Sequence, residues 1–127
     1  MRDLSKYRLD RAVEFLSEAN ALFQIDSFKG SINRSYYAIF TAVRALLAEE
    51  KKDFKKHSAV IAYFRQHYIK TGIFDVKFSK YIGDAFDFRN DCDYEDFIFV
   101  SHSEAQTQLN NATEFLQAVK NYLEVIQ

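Results

Sequence analysis

One segment decides the fold class of this chain: SEAQTQLNNATEFLQAVKNYLEVI, residues 103–126. Its apolar side chains recur at alternating steps of four and three residues, which is the spacing of an amphipathic α-helix packed in a bundle seam. They are Ala105, Leu109, Ala112, Leu116, Val119, Leu123 and Ile126. Just upstream, Ser101 and Glu104 have the spacing of a capping box, in which each side chain accepts a hydrogen bond from the other residue's backbone N–H. We therefore predict a long helix that begins at Ser101 and continues to the C-terminus.

The rest of the chain repeats this helical pattern. It contains no Pro and only three Gly in 127 residues, whereas all-β proteins need frequent turn-forming residues. A chain of this length favours one domain with a single core. We predict an all-α fold, an up-and-down antiparallel bundle of four main helices plus a shorter one, over residues 1–127. The four remaining helices are predicted at residues 5–24, 27–51, 57–70 and 74–90, and a non-helical loop at residues 91–101.

Charge and cysteine content exclude several classes of protein. Seventeen Lys and Arg against eighteen Asp and Glu give a net charge of −1, so no overall basic field attracts nucleic acid. The lone Cys92 cannot form an internal disulfide or a zinc cluster. The charged N-terminal segment does not resemble a signal peptide, and no apolar run reaches the ~18 residues that span a membrane. We expect a cytoplasmic protein with no membrane contact and no cofactor.

Arg89 is the first candidate functional residue. The apolar positions of the predicted fourth helix follow steps of three and four residues, and the next such step lands on Arg89. A buried guanidinium stays charged and needs a partner. Two interpretations stay open: an internal ion pair with Asp93, or a role in ligand binding or catalysis together with Asn90.

Acidic residues crowd the segment that follows, DCDYED at residues 91–96. Carboxylates can bind a divalent cation, but the spacing is not that of an EF-hand and no histidine supports a transition-metal site. We therefore predict no metal site. The simpler interpretation is that Asp93 pairs with Arg89 and that Tyr94 packs over the end of the helix.

Two further groups of residues are candidates for ligand contact. Tyr36 falls on the core stripe of the second helix, while Arg34 and Tyr37 lie three residues apart on another face. Arginine and tyrosine can bind a phosphate and stack on a base, although on residue type alone packing is the favoured explanation. His57 begins the predicted third helix after a run of lysines, and it is the histidine we consider as a general base.

Four stretches of the chain carry a further signal: SINRSYYAIFTAVRALL (31–47), KHSAVIAYFRQHYIKTG (56–72), FRNDCDYEDF (88–97) and SEAQTQLNNATEFLQAVKNYL (103–123). Together they resemble the HEPN superfamily, the helical domain of higher eukaryote and prokaryote nucleotide-binding proteins. The Asn-Arg-Ser-Tyr-Tyr, Lys-His-Ser and Arg-x-x-x-Asp-Tyr patterns within them resemble a group of small stand-alone prokaryotic HEPN proteins. The likeness covers nearly the whole chain.

The resemblance implies a helical bundle that is often a homodimer and is often encoded beside a minimal nucleotidyltransferase as a toxin–antitoxin pair. It also implies a metal-independent ribonuclease motif: an arginine, a polar residue that is often asparagine, and a histidine after a short gap. Arg89 and Asn90 match the first half. The gap selects Tyr94, Glu95 and Asp96, so the motif histidine is missing.

Two functions are therefore open. In the first, favoured here, the chain is a binding and interaction module that holds a nucleotide or RNA, with Arg89, Asn90, Asp93 and Tyr94 as the ligand-binding residues. The second is an active endoribonuclease toxin in which Tyr94 or His57 replaces the missing histidine as the proton-transferring residue.

Overall fold

The fold is known from a computed structural model, which describes residues 1–126. Five α-helices follow one another, and a π-helical turn over Arg65–Ile69 continues the third. The prediction of an all-α bundle with four long helices and a shorter one is confirmed. The helices are α1 Asp3–Gln24, α2 Phe28–Glu49, α3 His57–Phe64, α4 Lys77–Tyr94 and α5 His102–Val125.

The central helix of the bundle is α2. It packs against α1, α4 and α5, and apolar residues on several of its faces are fully buried, among them Ile39, Val43 and Leu46. Ala38 and Ala45 are also fully buried, and such small side chains let neighbouring helices approach closely. Because α2 is enclosed in this way, its polar side chains are positioned by the core that surrounds them.

Two tight turns depend on residues that accept a positive φ. Asp26, at φ 61°, joins α1 to α2, and aspartate tolerates this conformation better than most residues. Gly72, at φ 79°, follows the π-helical turn and donates its N–H to the carbonyl of Ile69 at 3.0 Å. Gly72 is thus the helix-ending glycine that its place in the sequence predicts.

The predicted bounds of α4 were wrong at both ends. At the start, Phe74 is buried and donates its backbone N–H to Tyr68, so it anchors the connection instead of beginning the helix. The helix begins only at Lys77, whose N–H is accepted by the Asp75 carboxylate at 2.9 Å. At the other end α4 continues to Tyr94, because no Gly or Pro stops it and an ion pair four residues apart, Arg89–Asp93, supports its last turn.

The start of α5 is as predicted. The Ser101 hydroxyl accepts the Glu104 N–H, and the Glu104 carboxylate accepts the Ser101 N–H, both at 3.0 Å. Val100 is buried just before this box and ties the preceding connection, residues 95–101, to the bundle. No helix within residues 1–126 is long and apolar enough to cross a membrane.

Candidate functional site

Arg89 lies between two helices, where α4 packs on α2. Its Nη1 is 3.1 Å from Asp93 Oδ2, and its side chain is 11% exposed against 34% for Asp93. The Nε of Arg89 is buried and has no hydrogen-bond partner among the described residues. The ion pair considered from the sequence is therefore present, and it is half open to solvent on the Asp93 side.

The Arg89 guanidinium packs against two tyrosine rings of α2. The Arg89 Cζ lies 4.9 Å from the centre of the Tyr36 ring and 5.6 Å from that of Tyr37. A guanidinium at these distances is attracted by the negative face of an aromatic ring. Tyr36 is completely buried, whereas Tyr37 is partly exposed and also packs on Phe15 of α1. Arg89 is thus fixed in place and borders on an accessible tyrosine.

His57 joins the same cluster through Tyr36. The Tyr36 hydroxyl and His57 Nδ1 are 2.7 Å apart, and the His57 ring stacks on Phe40 with 4.1 Å between centres. Tyr36 and Phe40 are four residues apart on α2, so their rings share one face of the helix. Tyr36 therefore links His57, the first residue of α3, to Arg89, which comes 32 positions later in the chain.

Burial and the positive charges around His57 favour its neutral form. Burial lowers the pKa of His57, and the positive charges of Arg89 and Arg44 lower it further. Burial also raises the pKa of Tyr36, against the opposing effect of Arg89. At neutral pH the cluster therefore contains a cationic arginine, a neutral histidine and a neutral tyrosine.

On its other side, His57 borders an open groove of about 470 Å³. Phe40, Arg44, Phe54 and Lys55 line this groove with it. The Asp53 carboxylate, also on the wall, pairs with Arg44 and with Arg8, each at 3.2 Å. Cations outnumber carboxylates here, and two phenylalanines contribute apolar surface, so the groove offers both the charge and the flat surface that a nucleotide needs.

Two residues predicted for the site, Arg34 and Tyr94, lie elsewhere. Arg34 is engaged away from Arg89: its Nε is 3.3 Å from Glu18 Oε1 and its Nη1 is 2.6 Å from Asn33 Oδ1. Tyr94 does not pack over the helix end as predicted; it is the last residue of α4 and is 80% exposed. The loop predicted at residues 91–101 is helical as far as Tyr94. Successive side chains of a helix point about 100° apart.

This helical geometry separates the predicted motif into two faces. Arg89 and Asp93 are four residues apart and share one face, while Asn90 and Tyr94 share another. A ligand held by Arg89 therefore does not reach Tyr94 along the same face of α4. His57, by contrast, is linked to Arg89 through the Tyr36 ring.

Sequence reasoning missed Arg44 and gave Tyr36 only a core role. A usable signal was present, since Tyr36, Phe40 and Arg44 follow one another at steps of four residues along α2. The sequence does not show which residues pack against this face of α2, because the packing of α3 and α4 on α2 is a tertiary property.

Structurally, this protein is a five-helix bundle in which Arg89 lies at the contact of α2 and α4, between two tyrosine rings and an aspartate. Comparison with known proteins gives the family. The model of the HEPN domain matches residues 5–122. The chain therefore belongs to the HEPN family, as its sequence resemblance implied.

Named relatives cover most of the chain. A protein of Methanocaldococcus jannaschii named "Putative toxin" is 33% identical over 96% of this chain and 82% of its own length. A UPF0332 protein of Thermotoga maritima is 31% identical over 94% of this chain and 90% of its own length. A second protein of M. jannaschii, also named "Putative toxin", is 29% identical over 93% of this chain and 87% of its own length. The chain is thus similar to toxin-like members of the HEPN family.

Proposed function

We propose that this protein is a binding module of a toxin–antitoxin-like pair and that it holds RNA or a nucleotide at the Arg89 cluster. One observation carries the proposal: Arg89 is fixed by two tyrosine rings and an ion pair beside the partly exposed Tyr37. RNA-binding sites use this combination, in which a guanidinium meets the phosphate and an aromatic ring stacks on a base.

The ion pair suggests how such a ligand enters. Asp93 is the more exposed member of the pair and holds Arg89 through a single nitrogen, Nη1. A ligand phosphate that replaces Asp93 restores the charge balance of Arg89 without moving its side chain. Asp93 then acts as a competitor for the phosphate, and the two tyrosines keep Arg89 in position.

The proposed partner is a minimal nucleotidyltransferase, and the proposed assembly is a homodimer. The homodimer is supported by membership of the HEPN family. The partner protein is supported by the name of the toxin-like relatives together with large exposed aromatic side chains, Tyr94, Phe97 and Phe99. Aromatic residues exposed in a group are typical of protein interfaces. Sedimentation of the protein alone, and then with a candidate nucleotidyltransferase, tests both parts.

The binding test uses labelled single-stranded RNA and labelled ATP with metal-free protein. Arg89→Gln removes the guanidinium, and Lys120→Gln on the exposed surface of α5 is the control with the same change in charge. We expect Arg89→Gln to weaken RNA binding at least about tenfold, which is about 1.4 kcal/mol, and the control to bind as the unchanged protein does. Equal binding by both variants would refute the proposed site.

A second function, metal-independent RNA cleavage, is favoured by the place of His57. A general base must be neutral, and the pKa of His57 is lowered by burial and by two arginines. In such a reaction His57 takes the proton of a ribose 2′-hydroxyl, the 2′-oxygen attacks the phosphorus, and the bond from phosphorus to the 5′-oxygen breaks. The leaving 5′-oxygen takes its proton from water. The products are a 2′,3′-cyclic phosphate and a 5′-hydroxyl end.

Cleavage of labelled RNA in the presence of a chelator separates the two functions. Loss of cleavage in both His57→Gln and Arg89→Gln, with cyclic phosphate ends in the unchanged protein, would establish the ribonuclease. Binding without cleavage would leave the binding module as the function.

A further inference from the structure

A second groove lies on the opposite side of α4 and has the opposite charge. It measures about 430 Å³ and runs between α4, α5 and the connection at residues 95–101. Four carboxylates and one amide line it, beside an exposed phenylalanine: Asp84, Asp87, Asp91, Glu104, Gln108 and Phe99. Asp87 and Asp91 are each two residues from Arg89, so the turn of the helix places them about 200° away from it.

Gln108 gives this groove an unfilled hydrogen-bond acceptor. Its side chain is only 6% exposed, and its Oε1 has no hydrogen-bond partner among residues 1–126. Buried amide oxygens are nearly always hydrogen-bonded, because leaving one unpaired costs free energy. Since Gln108 belongs to the groove wall, a donor group bound in the groove is placed to supply the missing hydrogen bond.

Two of the carboxylates are also without a cation. Asp84 pairs with Lys80 at 2.7 Å, and Glu104 belongs to the capping box. Asp87 and Asp91 form no ion pair with any residue that the structure describes. The groove therefore attracts cations and repels phosphate.

The spacing of the acidic residues indicates the shape of the ligand. Asp84, Asp87 and Asp91 lie at steps of three and four residues on one face of α4 and extend over about 10 Å of the helix. Carboxylates in a row along a helix can accept hydrogen bonds from several N–H donors of an extended peptide segment. A single ion would instead need them gathered around one point.

An exposed aromatic ring completes the groove. Phe99, on its edge, is 83% exposed, and its neighbour Phe97 is fully exposed. Guanidinium groups stack on aromatic rings and donate several hydrogen bonds in one plane, whereas an ammonium acts as a compact point charge. Exposed apolar rings beside charged groups are also typical of protein interfaces.

We propose that this acidic groove binds an arginine-bearing segment of a partner protein. The guanidinium groups pair with Asp87 and Asp91, one N–H fills the Gln108 acceptor, and Phe99 covers the arginine. The proposal does not depend on RNA binding at Arg89, because that residue lies on the other side of α4.

The test measures fluorescence anisotropy with short labelled peptides of Gly and Ser that carry arginine, lysine or glutamate. We expect the arginine peptide to bind more tightly than the lysine peptide, and the glutamate peptide not to bind. The double variant Asp87→Asn/Asp91→Asn is expected to lose about tenfold in affinity. Its control, Asp10→Asn/Glu124→Gln, has the same charge change on exposed residues outside the groove and is expected to lose nothing.

Gln108→Leu separates binding from folding. Because the Gln108 oxygen has no hydrogen-bond partner within residues 1–126, leucine is expected to keep or raise the melting temperature while weakening binding of the arginine peptide about tenfold. Unchanged peptide binding in Gln108→Leu and in the double aspartate variant would overturn the proposal. So would equal affinity for arginine and lysine peptides. Self-association that is lost in the double variant would instead identify a second copy of this chain as the occupant, and would also overturn it.

Discussion

The Tyr36 hydroxyl and His57 Nδ1 lie 2.7 Å apart, and this hydrogen bond ties the first residue of α3 to the centre of α2. Tyr36 is fully buried, and its ring also carries the Arg89 guanidinium. One tyrosine therefore holds both polar residues of the cluster in position. Its hydroxyl orients the histidine and its ring supports the arginine.

The coupling between these two residues is measurable. Tyr36→Phe keeps the ring and removes the hydroxyl, while His57→Gln removes the imidazole. A double-mutant cycle on the free energy of unfolding is expected to give a coupling of about 1 kcal/mol, the usual net value of a partly buried hydrogen bond. Additive effects of the two changes would mean that the hydrogen bond does not stabilise the protein.

Stability is expected to depend on pH through His57. Burial, Arg89 and Arg44 lower the pKa of His57 in the folded protein, so between the folded and unfolded pKa values the unfolded chain binds more protons. Stability therefore rises with pH in this range, and the contribution present above about pH 6.5 is lost as the pH falls toward the folded pKa. Urea unfolding is measured at pH 7.5 and pH 5, on either side of the ordinary histidine pKa. Between these pH values the free energy of unfolding should fall more for the unchanged protein than for His57→Gln. An equal loss in both would contradict the lowered pKa.

Asp93 is expected to restrain binding. Asp93→Asn removes the charge that competes with a ligand phosphate but keeps the shape of the side chain. We expect tighter RNA binding by several fold, with a loss of only about 0.5 kcal/mol in stability, since the pair is half exposed and four residues apart on one helix. Weaker RNA binding by Asp93→Asn would show instead that the carboxylate assists the ligand.

The capping box of α5 makes a separate prediction about stability. Ser101→Ala removes the acceptor for the Glu104 N–H and is expected to cost about 1 kcal/mol in the free energy of unfolding. Ser103→Ala, two residues later on the exposed surface, is the matched control and is expected to change stability by less than about 0.5 kcal/mol. A similar cost for both substitutions would show that the box adds nothing.

Local chemistry in the sequence predicted the fold well. The helical spacing, the Ser101–Glu104 box and Gly72 each determine structure within a few residues of themselves, and all three are present as expected. The end of α4 was mispredicted because its acidic residues looked like a loop. Asp93 supports the helix through an ion pair with Arg89, and the residue types alone do not reveal that this pair forms within a helical turn.

The candidate site was less accessible from the sequence. Arg89, His57 and Tyr37 could be singled out by residue type, but their common neighbour Tyr36 is a core residue whose role follows from the packing of three helices. Arg34 was grouped with Tyr37 because they lie three residues apart on one face of the helix. In the fold it turns to Glu18 of α1, a contact that no spacing within α2 predicts.

The most direct test of the central claim is the dissociation constant of the metal-free protein for labelled single-stranded RNA, measured for the unchanged chain, Arg89→Gln and Lys120→Gln. Circular dichroism first establishes that all three are folded. We predict that Arg89→Gln weakens binding at least about tenfold, or about 1.4 kcal/mol, while Lys120→Gln matches the unchanged chain. RNA binding that survives in Arg89→Gln, or that falls equally in both variants, would contradict a ligand site at Arg89.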